Sequence, residues 1–385
     1  MQPTVHFLPP DKWKEIPSVM DTCGIGSIIK KDDFVAIKLH FGEKGNTGYV
    51  KAKFIKPIIK KVRELGAFPF VTDANTIYKG ARTDAVHHLM VAAEHEYHSK
   101  YLGCPVIIAD GLRGNAFVEV ELEHVRPSSF DRLTMSSGRA CAQPKHFKKI
   151  KVAEAIYNAD VILSVAHFKG HELCGVGGAI KNLGMGCSSK GGKYEQHNSV
   201  VPKLNVAKCT ACGACVKWCG GNALTLDDSR GGALSPPAKG GHGGPPLRIQ
   251  FNASKCTGCG QCILACNFGV FNIPWSDDAA IVQEKIAEYA SGVLKNKRAF
   301  YINFLTFITA RCDCFKTIHK PLMPDIGILL SNDPVAIDQA CMDLIEKHTG
   351  RDILKEASGM DGNRQIEYAE ELGLGKRKYE SKGNE

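Results

Sequence analysis

The residues with the most chemical content are cysteines at a repeated spacing. Cys209-x2-Cys212-x2-Cys215-x3-Cys219 is followed by Cys256-x2-Cys259-x2-Cys262-x3-Cys266. Three thiolates on one tight loop reach three corners of an iron–sulfur cubane, and the fourth cysteine of each run serves the other cluster. The spacing therefore predicts one [4Fe–4S] cluster on Cys209, Cys212, Cys215 and Cys266, and a second on Cys256, Cys259, Cys262 and Cys219. Gly213 and Gly260 permit the curled backbone. Structural zinc prefers two well-separated ligand pairs, so two such evenly spaced runs argue against it. Gly220 and Asn267 replace the proline that usually follows the fourth cysteine, which removes no ligand.

A second group of residues lies where strands are expected to end. His167-Phe-Lys169-Gly-His171 runs into Gly175-Val-Gly177-Gly178 and on to Lys181 and Lys193. The glycines lack the third-glycine position of a dinucleotide fingerprint, and Gly192 with Tyr194 spoils a P-loop. What survives is a basic, backbone-exposing loop suited to a small anion, with Gly175, Gly177, Gly178, Lys169 and Lys193 as its binding residues. The competing reading is a glycine-rich turn packed on the sheet. His40, His167, His171 and His197 are candidates for metal ligation or acid/base work, because imidazole titrates near neutrality. His167, His171 and Lys181, which also serves the anion loop, are the catalytic candidates. Cys312-Asp313-Cys314 adds two thiols that can hold a metal, cycle through a strained disulfide or simply sit buried. Asp73 and Asn75 read as turn formers. Cys23, Cys104, Cys141 and Cys341 read as structural.

These residues need a scaffold. Phe34–Leu39, Phe68–Thr72, Val106–Ala109, Val161–Val165, Ala299–Leu305 and Ile326–Leu330 read as strands, and Val118–Leu122 as a half-exposed one. Lys51–Leu65, Asp84–Tyr97, Lys148–Ala159 and Ala279–Leu294 read as helices. Another is opened by Ser331-Asn-Asp-Pro334 and closed near Gly350. The last thirty or so residues read as at most a cap on the core. Alternating elements predict an α/β fold with a mainly parallel sheet, interrupted by a bacterial two-[4Fe–4S] ferredoxin-like module. The expected organisation is an α/β domain over 1–200, the module over 201–275, and the rest of the α/β domain with a tail over 276–385. Residues 229–247 form a Gly/Pro-rich insertion in the module, too poor in large apolar groups to offset ordering entropy. Ligands of such sheets bind beyond the carboxyl ends of the strands, where the chemical segments fall.

Composition narrows the classes. With 385 residues, 44% hydrophobic and 23% charged, the chain has the balance of a globular protein. Its 16 cysteines are too dilute for a disulfide scaffold. No apolar run approaches the ~20 residues of a membrane span. The first ten residues lack a signal-peptide pattern, so a cytoplasmic location is expected. The net charge of +9 is spread along the chain without a recognition motif, which argues against nucleic acid. Two cubanes would also turn eight thiols into about −4 of charge.

Lys38-Leu-His-Phe-Gly-Glu43, Asp110-Gly-Leu-Arg-Gly114, His167-Phe-Lys-Gly-His171, Gly177-Gly-Ala-Ile-Lys-Asn182, Cys312-Asp-Cys314 and Asp333-Pro-Val-Ala-Ile-Asp338 follow one another in the chain. Together they resemble the iron–sulfur members of domain-of-unknown-function family 362. The resemblance implies an α/β domain carrying a two-cluster module, with no settled reaction; the Gly/Pro insertion departs from the pattern. Two functions fit. In one, the clusters relay electrons to or from a small anionic substrate or cofactor held by the α/β domain, as in a ferredoxin-coupled oxidoreductase. In the other, the chain is a non-catalytic electron carrier or scaffold whose α/β domain docks a partner protein. A redox partner protein is expected in either case, and neither a membrane nor nucleic acid.

Overall fold

The computed structural model describes residues 2–78, 80–122, 141–197, 203–219, 222–226, 248–256, 262, 265–272, 278–314 and 320–383. Cys259, Gly220, Gly260 and the insertion at 229–247 lie outside the described residues.

Eight strands build the central sheet: β1 (Thr4–Leu8), β2 (Phe34–Lys38), β3 (Phe68–Asp73), β4 (Val106–Ile108), β5 (Val161–His167), β6 (Arg298–Leu305), β7 (Gly327–Ser331) and β8 (Glu380–Lys382). Their order is β8-β1-β7-β6-β5-β2-β3-β4. The run β6-β5-β2-β3-β4 is parallel throughout, as is β1 with β8. Only β7 runs against its neighbours, β1 and β6. The protein is thus a mixed α/β fold with a large, mainly parallel sheet. Strands from before and after the cysteine runs share it.

Alternation along the strands separates two apolar layers. Phe300, Ile302 and Phe304 of β6, with Val161, Leu163 and Val165 of β5, face one cluster; Tyr301, Leu305 and Ile162 face the other. The first layer is covered by α1 (Lys56–Glu64), which buries Ile58, Ile59 and Val62. α2 (Ala85–Glu94) follows β3 and buries Val91 and Ala92. The second layer is covered by α3 (Ala179–Gly184), α5 (Ala279–Leu294), α6 (Pro334–Thr349) and α7 (Asn363–Glu371), with α4 (Lys190–His197) against α5. Full burial of each large apolar side chain is worth about 1.5–3 kcal/mol, so this three-layer arrangement follows from strands that are apolar on both faces. α5 presents Val282, Ile286, Tyr289 and Val293 to the core, the face its periodicity predicts. The Asp333 carboxylate caps α6 by accepting from Val335 and Ala336 N–H at 2.9 and 2.8 Å, and Gly350 ends it in the left-handed region.

Three sequence expectations need correction. Lys148–Ala159 is not one helix: Lys149–Ala153 is a strand paired antiparallel with Phe117–Glu121, and a helix covers only Glu154–Asn158. Ile150 and Val152 point inward while Lys149 faces Glu119 and Glu121, a period of two that a distant partner strand stabilises. Lys51–Leu65 divides at Ile55 into a 3-10 turn over Ala52–Phe54 and α1, whose first turn holds Pro57. The C-terminal segment is more than a cap. α7 buries Gln365, Ile366, Tyr368 and Ala369, and β8 forms an edge of the main sheet.

The cysteine runs carry two short antiparallel pairs, Lys203–Leu204 with Phe271–Asn272 and Leu224–Leu226 with Ile249–Phe251. They enclose a small cluster of Cys215, Leu224, Ile249, Cys266, Val270 and Phe271. Among the described residues no helix is long and apolar enough to cross a membrane.

Candidate functional site

The parallel strands β2, β3, β5 and β6 end at one edge, and the loops beyond them surround a pocket of about 650 Å³ that opens to solvent. β2 and the loop after it deliver Lys38 and His40, β3 and the loop after it deliver Asp73, Tyr78 and Arg82, and β5 and the hairpin after it deliver His167 and Lys169. The loop after β6 delivers Cys312 and Cys314, while α3 and α4 add Lys181, Asn182 and Lys193. The strand-end segments do meet.

The pocket wall is cationic: Lys38, Arg82, Lys169, Lys181 and Lys193 face the single carboxylate of Asp73. Two of the lysines are held in place by acids. Lys38 Nζ lies 3.1 Å from Asp73 Oδ1 and donates to Asn182 Oδ1 at 3.0 Å; Lys169 Nζ lies 3.1 Å from Asp313 Oδ2. Lys38 and His88 hold the Asp73 carboxyl well below the usual range against the opposing effect of burial. His167 and Lys169 do the same for Asp313. Lys193 is pulled down, because burial outweighs the attraction of Asp110. Burial also pulls on Lys181, but Cys312, Cys174 and Cys314 outweigh it and hold the ammonium's pKa up. The Lys181 ammonium makes no hydrogen bond to any described residue, while its carbonyl accepts Met185 and Gly186 N–H. Arg82 is 1% exposed, ion-paired at 3.5 Å with Glu43 and Asp73, and its Nη2 has no hydrogen-bond partner among the described residues. A buried guanidinium nitrogen left unpaired is costly, and an anion in the pocket would satisfy it.

The histidines are committed elsewhere. His167 has Nδ1 at 2.9 Å from Asp313 Oδ2 and Nε2 at 3.1 Å from the Phe307 carbonyl, so both nitrogens are engaged in positioning. His171 accepts Leu173 and Cys174 N–H at Nδ1, and burial with Lys181 nearby lowers its pKa to about 4. His40 accepts Gly42 N–H at Nδ1, and burial with Arg82 nearby lowers it to about 3. His197 is buried near Lys181 and Lys285, lowered to about 3, and does not line the pocket. With pKa values this low, the imidazoles of His171, His40 and His197 are neutral at neutral pH.

Cys312 and Cys314 sit on the pocket wall with Sγ atoms 2.9 Å apart, and Cys314 Sγ is 3.3 Å from His40 Nε2. These three donor atoms lie within 4.8 Å of one another, a group compatible with a metal ion. The hydrogen bond from Cys312 pushes Cys314 down to about 6, helped by Arg82, Lys181 and Lys169. Cys312 is raised by that same bond and by burial. Other thiols behave as structural ones: burial raises Cys23 and Cys174 to about 12 and Cys104 and Cys187 to about 11, and lifts Cys341 as well. Cys141 is half-buried.

The glycines divide. Gly175 has φ +71° and packs against Gly362 in the hairpin Lys169–His171/Gly175–Gly177, away from the pocket. Gly177 and Gly178 line it. A Cβ on Gly178 would lie 2.3 Å from Asp338 Oδ1. That carboxylate accepts Ala179 and Ile180 N–H at 2.7 and 2.9 Å and Asn303 Nδ2 at 2.7 Å, so it fixes the start of α3 and hence Lys181. Asp73 is a wall residue rather than a turn former, and Asn75 donates to Asp110 at 2.8 Å beneath it. Arg82 and Tyr78 carried no motif. Their signal was position, in the loop after a strand of a parallel sheet.

A second cavity, of about 300 Å³, is lined by Cys209, Cys212, Cys215 and Cys266 together with Leu226, Ile249, Phe268 and Phe271. Cys256 and Cys262 lie close enough to Tyr194 on α4 to raise its phenol, adding to burial. Cys219 Sγ accepts Ala223 N–H at 3.2 Å. Trp218 stacks under Arg113 at 4.8 Å, tying this region to the α/β core.

Among solved structures, a structural-genomics protein from Thermotoga maritima is similar at 10% identity and a TM-score of 0.35, over 94% of this chain and 59% of that one. The lactate racemase apoprotein from Thermoanaerobacterium thermosaccharolyticum is similar at 12% identity and a TM-score of 0.33, over 80% of this chain and 51% of that one. The chain therefore spans little more than half the length of either. No curated protein matches it. A family model described as a domain of unknown function (DUF362) matches residues 35–343, from β2 to α6, so nearly all of the parallel sheet and the pocket loops fall within it; the chain belongs to the DUF362 family.

Proposed function

We propose that this chain is an iron–sulfur oxidoreductase that holds two [4Fe–4S] clusters on its cysteine runs and a small anionic substrate or cofactor in the pocket. The observation that carries the reading is the 300 Å³ cavity. Its four cysteines come from both runs, in the crossed combination that the two-cluster spacing calls for. All-thiolate donors in an apolar lining fit a cubane. Cys256 and Cys262, with Cys219 and Cys259, would hold the second. When bound, such clusters supply single electrons at potentials tuned by their surroundings.

The remaining work falls to the chain's own residues. Arg82 Nη2 and the Lys181 ammonium, neither hydrogen-bonded to a described residue, bind the anion, with Lys38 and Lys169 kept in place by Asp73 and Asp313. Asn182, held by Lys38 and Ser164, fixes the pocket floor. α4 places Tyr194 by the second cysteine group and Lys193 at the pocket, so one helix adjoins both sites. The cysteine segment in this reading is a module within 201–275, set into the α/β domain.

The test is iron and acid-labile sulfide content of protein purified without oxygen, where about eight of each per chain is expected. Zinc without sulfide would refute it. If the clusters form but no small anion speeds their reoxidation, the chain is a carrier and its α/β domain a docking platform.

A further inference from the structure

We infer that Cys314 is the nucleophile of the pocket and bonds covalently to carbon in a small carboxylate-bearing electrophile. The inference rests on the reading of the pocket as an anion site, and adds a reacting atom to it.

Two hydrogen bonds define the sulfur. Cys312 S–H donates to Cys314 Sγ across 2.9 Å. His40 accepts Gly42 N–H at Nδ1 at 3.0 Å, so its own ring proton lies on Nε2, which faces Cys314 Sγ at 3.3 Å. That polarity decides between two uses of the same atoms. A metal-bound imidazole normally donates from its second nitrogen, which fixes the bare nitrogen on the metal. Here the second nitrogen accepts, and the proton points at sulfur. The arrangement suits a hydrogen-bonded thiolate.

The surroundings complete it. Arg82 and Lys181 face Cys314 and stabilise its negative charge, as do nearby cations at other reactive cysteines. Both thiols line the pocket, but Cys312 is only 2% exposed, while Cys314 is half-buried and the more accessible of the two. The same cations attract the carboxylate of an incoming compound and place its electrophilic carbon at the sulfur. In the step, a sulfur lone pair forms the S–C bond while the leaving group departs with its bonding pair. No proton moves, and both donors remain bonded to sulfur.

The experiment uses the protein purified without oxygen. It is treated with limiting iodoacetate or limiting iodoacetamide, digested, and mapped by mass spectrometry. Iodoacetate should form the S–CH2–COO⁻ adduct at Cys314 before any other cysteine and release iodide. It should outpace the neutral reagent there by on the order of tenfold, the lower end of electrostatic focusing in charged clefts. Lys181→Met should lower that ratio towards unity while iodoacetamide still labels Cys314 ahead of the other cysteines, a selectivity that an unfolded variant would lose. Equal rates for the two reagents in the native protein, or first labelling elsewhere, would overturn the inference. So would a stoichiometric metal that Cys314→Ser releases. Iron and sulfide content decides the cluster reading separately, because the labelling requires no electron transfer.

Discussion

His167 Nδ1 lies 2.9 Å from Asp313 Oδ2, although 146 residues separate them in the chain. Asp313 also takes the Lys169 ammonium at 3.1 Å, and its carbonyl accepts Glu43 N–H at 2.9 Å. One buried residue thus fastens the Cys312–Cys314 turn to β5 and to the loop after β2.

Asp313→Asn should destabilise the fold by about 3–5 kcal/mol, because it strands the buried Lys169 ammonium and loosens the His167 contact. The pH dependence has a definite sign. The folded pKa lies well below the ordinary value, so the stabilisation is present at neutral pH and fades as pH falls through that lowered value. Urea unfolding at pH 7 and at about pH 3 should show a smaller loss for Asp313→Asn than for the native protein. A parallel loss in both would remove Asp313 from the account.

Modification of Cys314 should follow a thiolate with a pKa of about 6. Since the ionised form reacts, the rate should fall below that pH and be nearly flat above pH 7. A profile still climbing towards pH 9 would mean that Arg82, Lys181 and the Cys312 hydrogen bond do not act as described.

Gly178→Ala places a methyl group 2.3 Å from Asp338 Oδ1 and 2.8 Å from Phe168. Overpacking of this kind costs about 1–3 kcal/mol. Relief requires the start of α3 to shift, which carries Lys181 with it. Weaker protection against heat and weaker competition by malonate for the pocket should therefore appear together; a change in one alone would separate α3 from anion binding.

Lys181→Met should weaken malonate binding, measured calorimetrically, by roughly tenfold or more, as loss of a charge-assisted contact of about 1.5–3 kcal/mol implies. Its melting temperature should fall only modestly, because the variant loses the ammonium's attraction to the nearby thiols but orphans no hydrogen-bonded partner among the described residues. Unchanged affinity would place the anion elsewhere.

Cys266→Ala should remove about four of the eight irons if it closes the cavity formed with Cys209, Cys212 and Cys215. Retention of all the iron would break the crossed assignment.

What was legible in the chain was local. The two cysteine runs carry their spacing within a dozen residues each, and the α5 and α6 boundaries follow from apolar period, the Asp333 cap and Gly350. The meeting of Lys38, Asp73 and His167 was foreseeable, because parallel strands must end on one side. The pairing of His167 with Asp313 and the capping of α3 by Asp338 were not, since each joins segments over a hundred residues apart without a spacing signature. Arg82 was overlooked because no spacing signature marks it: its meaning comes from its pairing with Glu43 and Asp73 in the folded loops. Lys149–Ala153 was misread because its strand character depends on Phe117–Glu121 across the pair.

The sheet order also constrains how the chain can be made. Both neighbours of β1, β7 and β8, are translated more than three hundred residues after it. Until they emerge, Thr4–Leu8 offers two open edges with apolar Val5 and Leu8 between them, a template for pairing with other chains. Parallel and long-range pairing is slow in any case. Nascent chains arrested before residue 327 should therefore bind holding chaperones through their first strand, and release them once β7 has been synthesised. Charged substitutions at Val5 would shorten that association while weakening the finished sheet, setting ease of synthesis against final stability at a single strand.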